Sequence, residues 1–93
     1  MLVIIRSGPD TQDGKRALKL ARDMAADVCL TQNAVYFAQK ERLEGFCGTV
    51  HILDEDLRLR GLCDDEIEKD IRKISYDSLI DLMAKEEKVV GIF

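Results

Sequence analysis

Short apolar runs alternate with stretches of helical periodicity along this chain. Leu2-Val3-Ile4-Ile5 is a continuous apolar run, as in a strand buried on both faces. Ser7-Gly8-Pro9-Asp10 follows as a turn, and Asp10 or Thr11 is placed to cap a helix. In that helix Ala17, Leu20, Ala21, Met24 and Ala25 have the spacing of one face, while Lys15, Lys19, Arg22 and Asp23 lie largely elsewhere. Val28-Cys29-Leu30-Thr31 reads as a second strand. Gln32-Asn33 then opens a second helix with Val35, Phe37 and Ala38 inward, and Gly45 and Gly48 bracket its exit. Val50-His51-Ile52-Leu53 is a third strand. Asp54 is placed to cap a short helix, with Gly61 at its C′ position. Residues 62–70 are acidic and irregular or weakly helical. Lys73-Ile74-Ser75 reads as a short fourth strand, Ser75 or Asp77 as the cap of a helix carrying Leu79, Leu82 and Met83, and residues 89–93 as a last strand after the polar turn 85–88.

Strands alternating with helices of ~10–15 residues predict βαβ units and an α/β fold. The expected architecture is a small three-layer domain, a mainly parallel sheet of about five strands with helices on both faces, because parallel crossovers are right-handed. Ligands and partners of such sheets meet the carboxyl ends of the strands. Here that edge carries Arg6-Ser7-Gly8, Thr31-Gln32-Asn33 and Asp54-Glu55-Asp56.

Composition narrows the picture. Ninety-three residues predict a single domain, 1–93, with a thin core. A 46% hydrophobic and 34% charged make-up is that of a folded domain rather than a disordered chain. No apolar run, Leu2–Ile5 included, approaches the ~18 residues of a membrane span, and the start of the chain does not read as a secretory signal. A net charge of −4 argues against direct binding of nucleic acid. Three cysteines without CxxC spacing do not read as a disulfide framework or a zinc site, so a reducing cytoplasm is the expected location.

The candidate chemistry is sparse. The one histidine, His51, lies inside a strand and reads as a sheet residue hydrogen-bonded to a neighbour. No Walker loop, G-x-G-x-x-G, G-x-S-x-G or H-E-x-x-H occurs, so neither a metal nor a cofactor is expected. Residues 54–70 hold eight acids against three bases, −5, which is either a solvated surface or a docking face for a basic partner. Cys29 reads as a buried small hydrophobe, and Cys47 sits in the Gly45–Gly48 turn with no activating neighbour. Cys63 is the candidate active thiol: a helix start would lower its pKa, whereas Asp64 and Asp65 would raise it.

Several segments, in order, resemble the DsrH/TusB family of the DsrE/DsrF/DsrH sulfur-relay superfamily. They are the opening residues 1–7; Gln32-Asn33-Ala34-Val35-Tyr36, similar to a Gln-(Asp/Asn)-Gly-Val segment; residues 50–62 with Leu53-Asp54-Glu55-Asp56-Leu57 and Arg60-Gly61-Leu62; and residues 74–82. The resemblance implies a five-stranded α/β domain that assembles with DsrE/TusD- and DsrF/TusC-like subunits or with itself, in tRNA wobble-uridine 2-thiolation or sulfur oxidation. It implies a mostly structural role, the persulfide-bearing cysteine belonging to the DsrE/TusD subunit. Ala34 departs from the family's glycine. The stretch Leu53–Asp56, where DsrE/TusD-like members carry their cysteine ahead of the Arg-Gly pair, has none here.

The expected function is therefore a non-catalytic subunit acting through assembly. The alternatives are a persulfide carrier using Cys63 and a stand-alone homo-oligomeric binding protein of the same fold. Strand-end and interface candidates are Gln32, Asn33, Tyr36, Asp56, Arg60 and Gly61, and the contact candidates Phe37, Phe46 and Ile92-Phe93 join Tyr36.

Overall fold

The computed structural model describes residues 1–39, 42–43, 46–68, 70–86 and 88–92. Gly45, Phe93 and part of the 85–88 turn, named above, lie outside the described residues. Five strands form one sheet in the order β4-β3-β2-β1-β5, with β1 Leu2–Ile5, β2 Asp27–Leu30, β3 Val50–Leu53, β4 Arg72–Ile74 and β5 Val89–Ile92. Every pairing is parallel. β1 and β3 are buried along their whole length; β1 accordingly reads as an unbroken apolar run, and His51 alone interrupts that of β3.

Alternate residues of each strand feed two cores. Val3, Ile5, Val28, Leu30, Val50 and Ile52 face α1 (Gln12–Asp23), a 3-10 helix (Gln32–Ala38) and α2 (Asp54–Leu59). Leu2, Ile4, Cys29 and Leu53 face α3 (Tyr76–Lys85), which contributes Leu79 and Leu82. The three crossovers from β1 to β4 step one way across the sheet on the first face. The crossover from β4 to β5 returns the other way, and right-handedness therefore sends α3 to the opposite face.

The expected three-layer α/β domain is the observed one, with local differences that have physical causes. β2 begins at Asp27 and β4 at Arg72, one residue early in each case. The buried face of α1 is Gly14, Ala17, Leu18 and Ala21, not one running on to Met24 and Ala25. Met24 is the C-cap and Ala25 already has φ +52, so helical periodicity stops before them. The Ala25 and Ala26 amides donate to the Arg22 and Ala21 carbonyls, a Schellman ending built on alanine. The second helix is a seven-residue 3-10 helix. Asp54 is the first residue of α2 rather than its cap, Leu53 holding the cap position without a side-chain bond. The caps at Thr11 and Ser75 are as expected, each hydroxyl accepting a backbone N–H, from Gly14 at 3.0 Å and Ser78 at 3.2 Å.

Gly14 is where α1 presses onto the loop leaving β1: a Cβ there would collide with the Gly8 carbonyl oxygen and stand 2.8 Å from that of Ser7. In an ordinary helix interior Gly→Ala stabilises by about 1 kcal/mol. Gly14→Ala is expected to do the opposite and lower the Tm. Ala25→Gly relieves a left-handed alanine and is expected to stabilise by roughly 1 kcal/mol. Thermal melts of the two variants check both signs.

Candidate functional site

The carboxyl ends of β1, β2 and β3 are tied together by a few polar groups. The Thr31 amide and hydroxyl both donate to the Ile5 carbonyl, at 2.9 and 3.2 Å, and close β2 onto β1. The next residue, Gln32, has φ +49, and its amide is thereby turned toward α2, where it donates to Asp56 Oδ2 at 2.8 Å. Arg60, one turn after Asp56, donates from Nε to Asn33 Oδ1 at 3.2 Å and reaches the Asp56 carboxylate at 3.7 Å. Gly61 then ends α2 at φ +68, its amide donating to the Arg58 carbonyl and that of Leu62 to the Leu57 carbonyl. Nothing lies within 4 Å of a Cβ at Gly61, so the backbone angle, not space, explains the glycine.

Of the six strand-end candidates, the structure brings Gln32, Asn33, Asp56 and Arg60 into one hydrogen-bonded network, and Gly61 fixes the end of the helix that carries two of them. Asp56 is nine-tenths buried and its carboxylate is met by groups of the chain itself, so it acts as a brace. Tyr36 stands beside it. In a 3-10 helix residues three apart are aligned. Asn33, Tyr36 and Gln39 accordingly line one cleft of about 330 Å³, opposite Gly8, Pro9 and Thr11 of the loop after β1. Arg42 lines it too, its Nε donating to Gln39 Oε1 at 3.1 Å. This cleft occupies the edge at which parallel sheets bind, and its described lining offers amide, hydroxyl, phenol and guanidinium groups and the Asp10 carboxylate, but no thiol.

The cysteines fall elsewhere. Cys29 is fully buried in β2, and burial, followed by the nearby negative charge of Asp56, pushes its thiol up to about 12. It is therefore no nucleophile. Cys47 is exposed and lines a separate cleft of about 660 Å³ at the amino ends of β3 and β4, with Phe46, Glu68, Asp70 and Arg72. Cys63 is exposed, and its carbonyl accepts the Glu66 amide at 2.9 Å in a single 3-10 turn, Asp64–Glu66. Neither lies with the strand-end network. Among the described residues no three histidine, cysteine or acidic side chains gather as a metal site, and no helix is long and apolar enough to cross a membrane.

His51 differs from its expected role as a hydrogen-bonded sheet residue: its Nδ1 is buried and has no partner among the described residues. Burial lowers its pKa from 6.5, partly countered by Asp27 and Glu86 and reinforced by Arg72. The contact candidates also sort themselves. Phe37 belongs to the core and Phe46 packs against it. Besides Met24 and Leu59, the exposed large apolar side chains among the described residues are instead Tyr76, Ile80 and Met83, at i, i+4 and i+7 on the outer face of α3. That spacing was present in the sequence, but Leu79 and Leu82 on the same helix mask it as an ordinary core face.

A family model described as "DsrH like protein" matches residues 6–89. No curated protein matches the sequence. Among solved structures, the chain is similar to the YchN protein of E. coli, at a TM-score of 0.82 and 16% identity over 99% of this chain and 97% of the other. It is also similar to protein Tm0979 of Thermotoga maritima, at a TM-score of 0.67 and 26% identity over 98% of this chain and 100% of the other.

Two outcomes follow from the geometry. Asp56→Ala leaves the Gln32 amide without its acceptor and removes the carboxylate facing Arg60, and is expected to destabilise by about 2–4 kcal/mol in denaturant titrations. Asp56→Asn, which keeps an acceptor, is expected to lose much less. As for His51, the unfolded chain takes up its proton first as pH falls through 6.5, so stability declines from there and levels off below the lowered folded value. His51→Leu should flatten that decline between neutral pH and about pH 5.

Proposed function

This chain belongs to the DsrH-like family of small sulfur-relay-related proteins, and on that premise we propose that it is a non-catalytic subunit of a sulfur-relay assembly. The observation that carries the reading is the placement of its thiols. Persulfide relay needs an accessible thiolate that attacks a sulfane sulfur. At Leu53–Asp56, the stretch that resembles the position of the DsrE/TusD-like cysteine, the chain places the end of β3 and the start of α2, with the Asp56 carboxylate committed to the Gln32 amide. The strand-end cleft contains no cysteine, and Cys29 is buried.

The subunit acts by binding: its partners are DsrE/TusD- and DsrF/TusC-like chains or further copies of itself, in tRNA wobble-uridine 2-thiolation or sulfur oxidation in the cytoplasm. The strand-end candidates Gln32, Asn33, Asp56, Arg60 and Gly61 brace the edge, and Tyr36 offers the contact surface beside it.

A second reading rests on Cys63 being exposed and free: it would carry a transient persulfide. The two readings separate on one experiment. The chain is co-expressed with DsrE- and DsrF-like proteins and incubated with a sulfane-sulfur donor. The expected result is co-elution with those proteins, with the added mass of one sulfur atom on the DsrE-like chain only. An adduct on this chain that disappears in Cys63→Ser would establish the carrier reading instead, and failure to associate with either protein or with itself would remove the first.

A further inference from the structure

Charge is unevenly divided along this chain. Residues 54–70 carry −5, and the remaining residues carry eleven bases against ten acids, +1. In the fold the basic excess has a definite place. Lys15, Lys19 and Arg22 recur at i, i+4 and i+7 on α1 and line a cleft of about 320 Å³ together with Arg42. Buried Leu18 and Phe37 form its floor, and none of its described lining residues is a carboxylate. Lys15 and Lys19 are exposed. Through Arg42 this cleft adjoins the strand-end cleft of Asn33 and Tyr36.

The shape of the basic site is a row. From Lys15 to Arg22 the helix rises roughly 10 Å, and Lys15 and Lys19 stand about 6 Å apart along the axis. A linear polyanion fits such a row better than a compact ion does. The chain itself supplies an acidic run: Asp65 and Glu66 are exposed in the 3-10 turn Asp64–Glu66, and Asp70 is exposed beyond it.

We propose that the basic cleft of α1 docks the acidic 64–70 segment of a second copy of this chain. The proposal rests on the assembly reading above and names the surfaces for its self-association. The two surfaces differ, so the contact is head-to-tail and propagates into a closed ring or an open chain of copies. A phosphate backbone is another polyanion, but the net charge of −4 opposes its approach, whereas a second copy presents its own locally acidic segment. Exposed charges are screened beyond about 8 Å at physiological ionic strength, so this association weakens as salt is raised.

A charge swap tests the contact. Sedimentation of the full chain is compared with that of Lys15→Glu/Lys19→Glu and of Asp65→Lys/Glu66→Lys, with thermal melts confirming that each folds; Lys15→Gln/Lys19→Gln replaces the first pair if it does not. Each double variant alone is expected to self-associate roughly tenfold more weakly or worse. An equimolar mixture of the two reversed variants is expected to recover association, because the reversed cleft of one meets the reversed segment of the other and the unaltered surfaces match as before. A monomeric wild-type chain, variants that associate like wild type, or a mixture that does not recover would each overturn the proposal. So would a single-stranded oligonucleotide bound by the wild type and released by the cleft variant. Association with DsrE- and DsrF-like chains, measured in parallel, reports on the assembly reading separately, since that reading survives if only self-association is lost.

Discussion

A parallel sheet whose central strands are apolar on both sides has to be covered on both sides. This chain meets the demand unequally. α1, the 3-10 helix and α2 cover one face, and α3 alone covers the other. The inequality follows from the order of strands, since three successive crossovers run in one direction and a single one returns. From it follow the thinness of the α3 layer, the burial of His51 and Cys29 beneath it, and the double character of α3. That helix packs Leu79 and Leu82 inward while Tyr76, Ile80 and Met83 stand in solvent.

The carboxyl edge of the sheet is the other half of the design. A carboxylate placed over the strand ends can hold a structure together or do chemistry, and its bonding tells which. Asp56 accepts one backbone amide and faces one guanidinium, so its charge is matched by groups of the chain itself. The left-handed turn at Gln32 is the local strain that lets this happen, because it aims the amide at α2. What remains open beside the brace is a cleft of neutral polar groups, one arginine and the Asp10 carboxylate, without a thiol and suited to recognition rather than to nucleophilic attack.

Much of this was legible in the sequence, for identifiable reasons. Buried strands read as apolar runs, hydroxyl caps at Thr11 and Ser75 announce helices, and Gly61 marks a helix end that only a left-handed residue completes. The strand-end candidates could be located because βαβ topology fixes where the loops emerge, and four of them prove to be mutual partners. The shape of the second helix was not legible: its turn onto α2 depends on the Ile5 carbonyl and on Asp56, both distant in sequence. The true inner face of α1 depends likewise on contact between Gly14 and the Gly8 carbonyl. The bond missing at His51 is a property of the packed sheet that no pattern along the chain records.

The sheet order also sets a timetable. β1 lies between β2 and β5, and its register pairs Leu2 with Asp27 on one side and with Val89 on the other. The first of these ladders closes early, over a short loop. The second joins nearly opposite ends of the chain and carries the largest loop-closure entropy in the fold. As the chain leaves the ribosome, β1 to β4 can form while one edge of β1, Leu-Val-Ile-Ile, stays unpaired until the last strand arrives. The interval before β5 docks is when an apolar edge can recruit a strand from a neighbouring nascent chain.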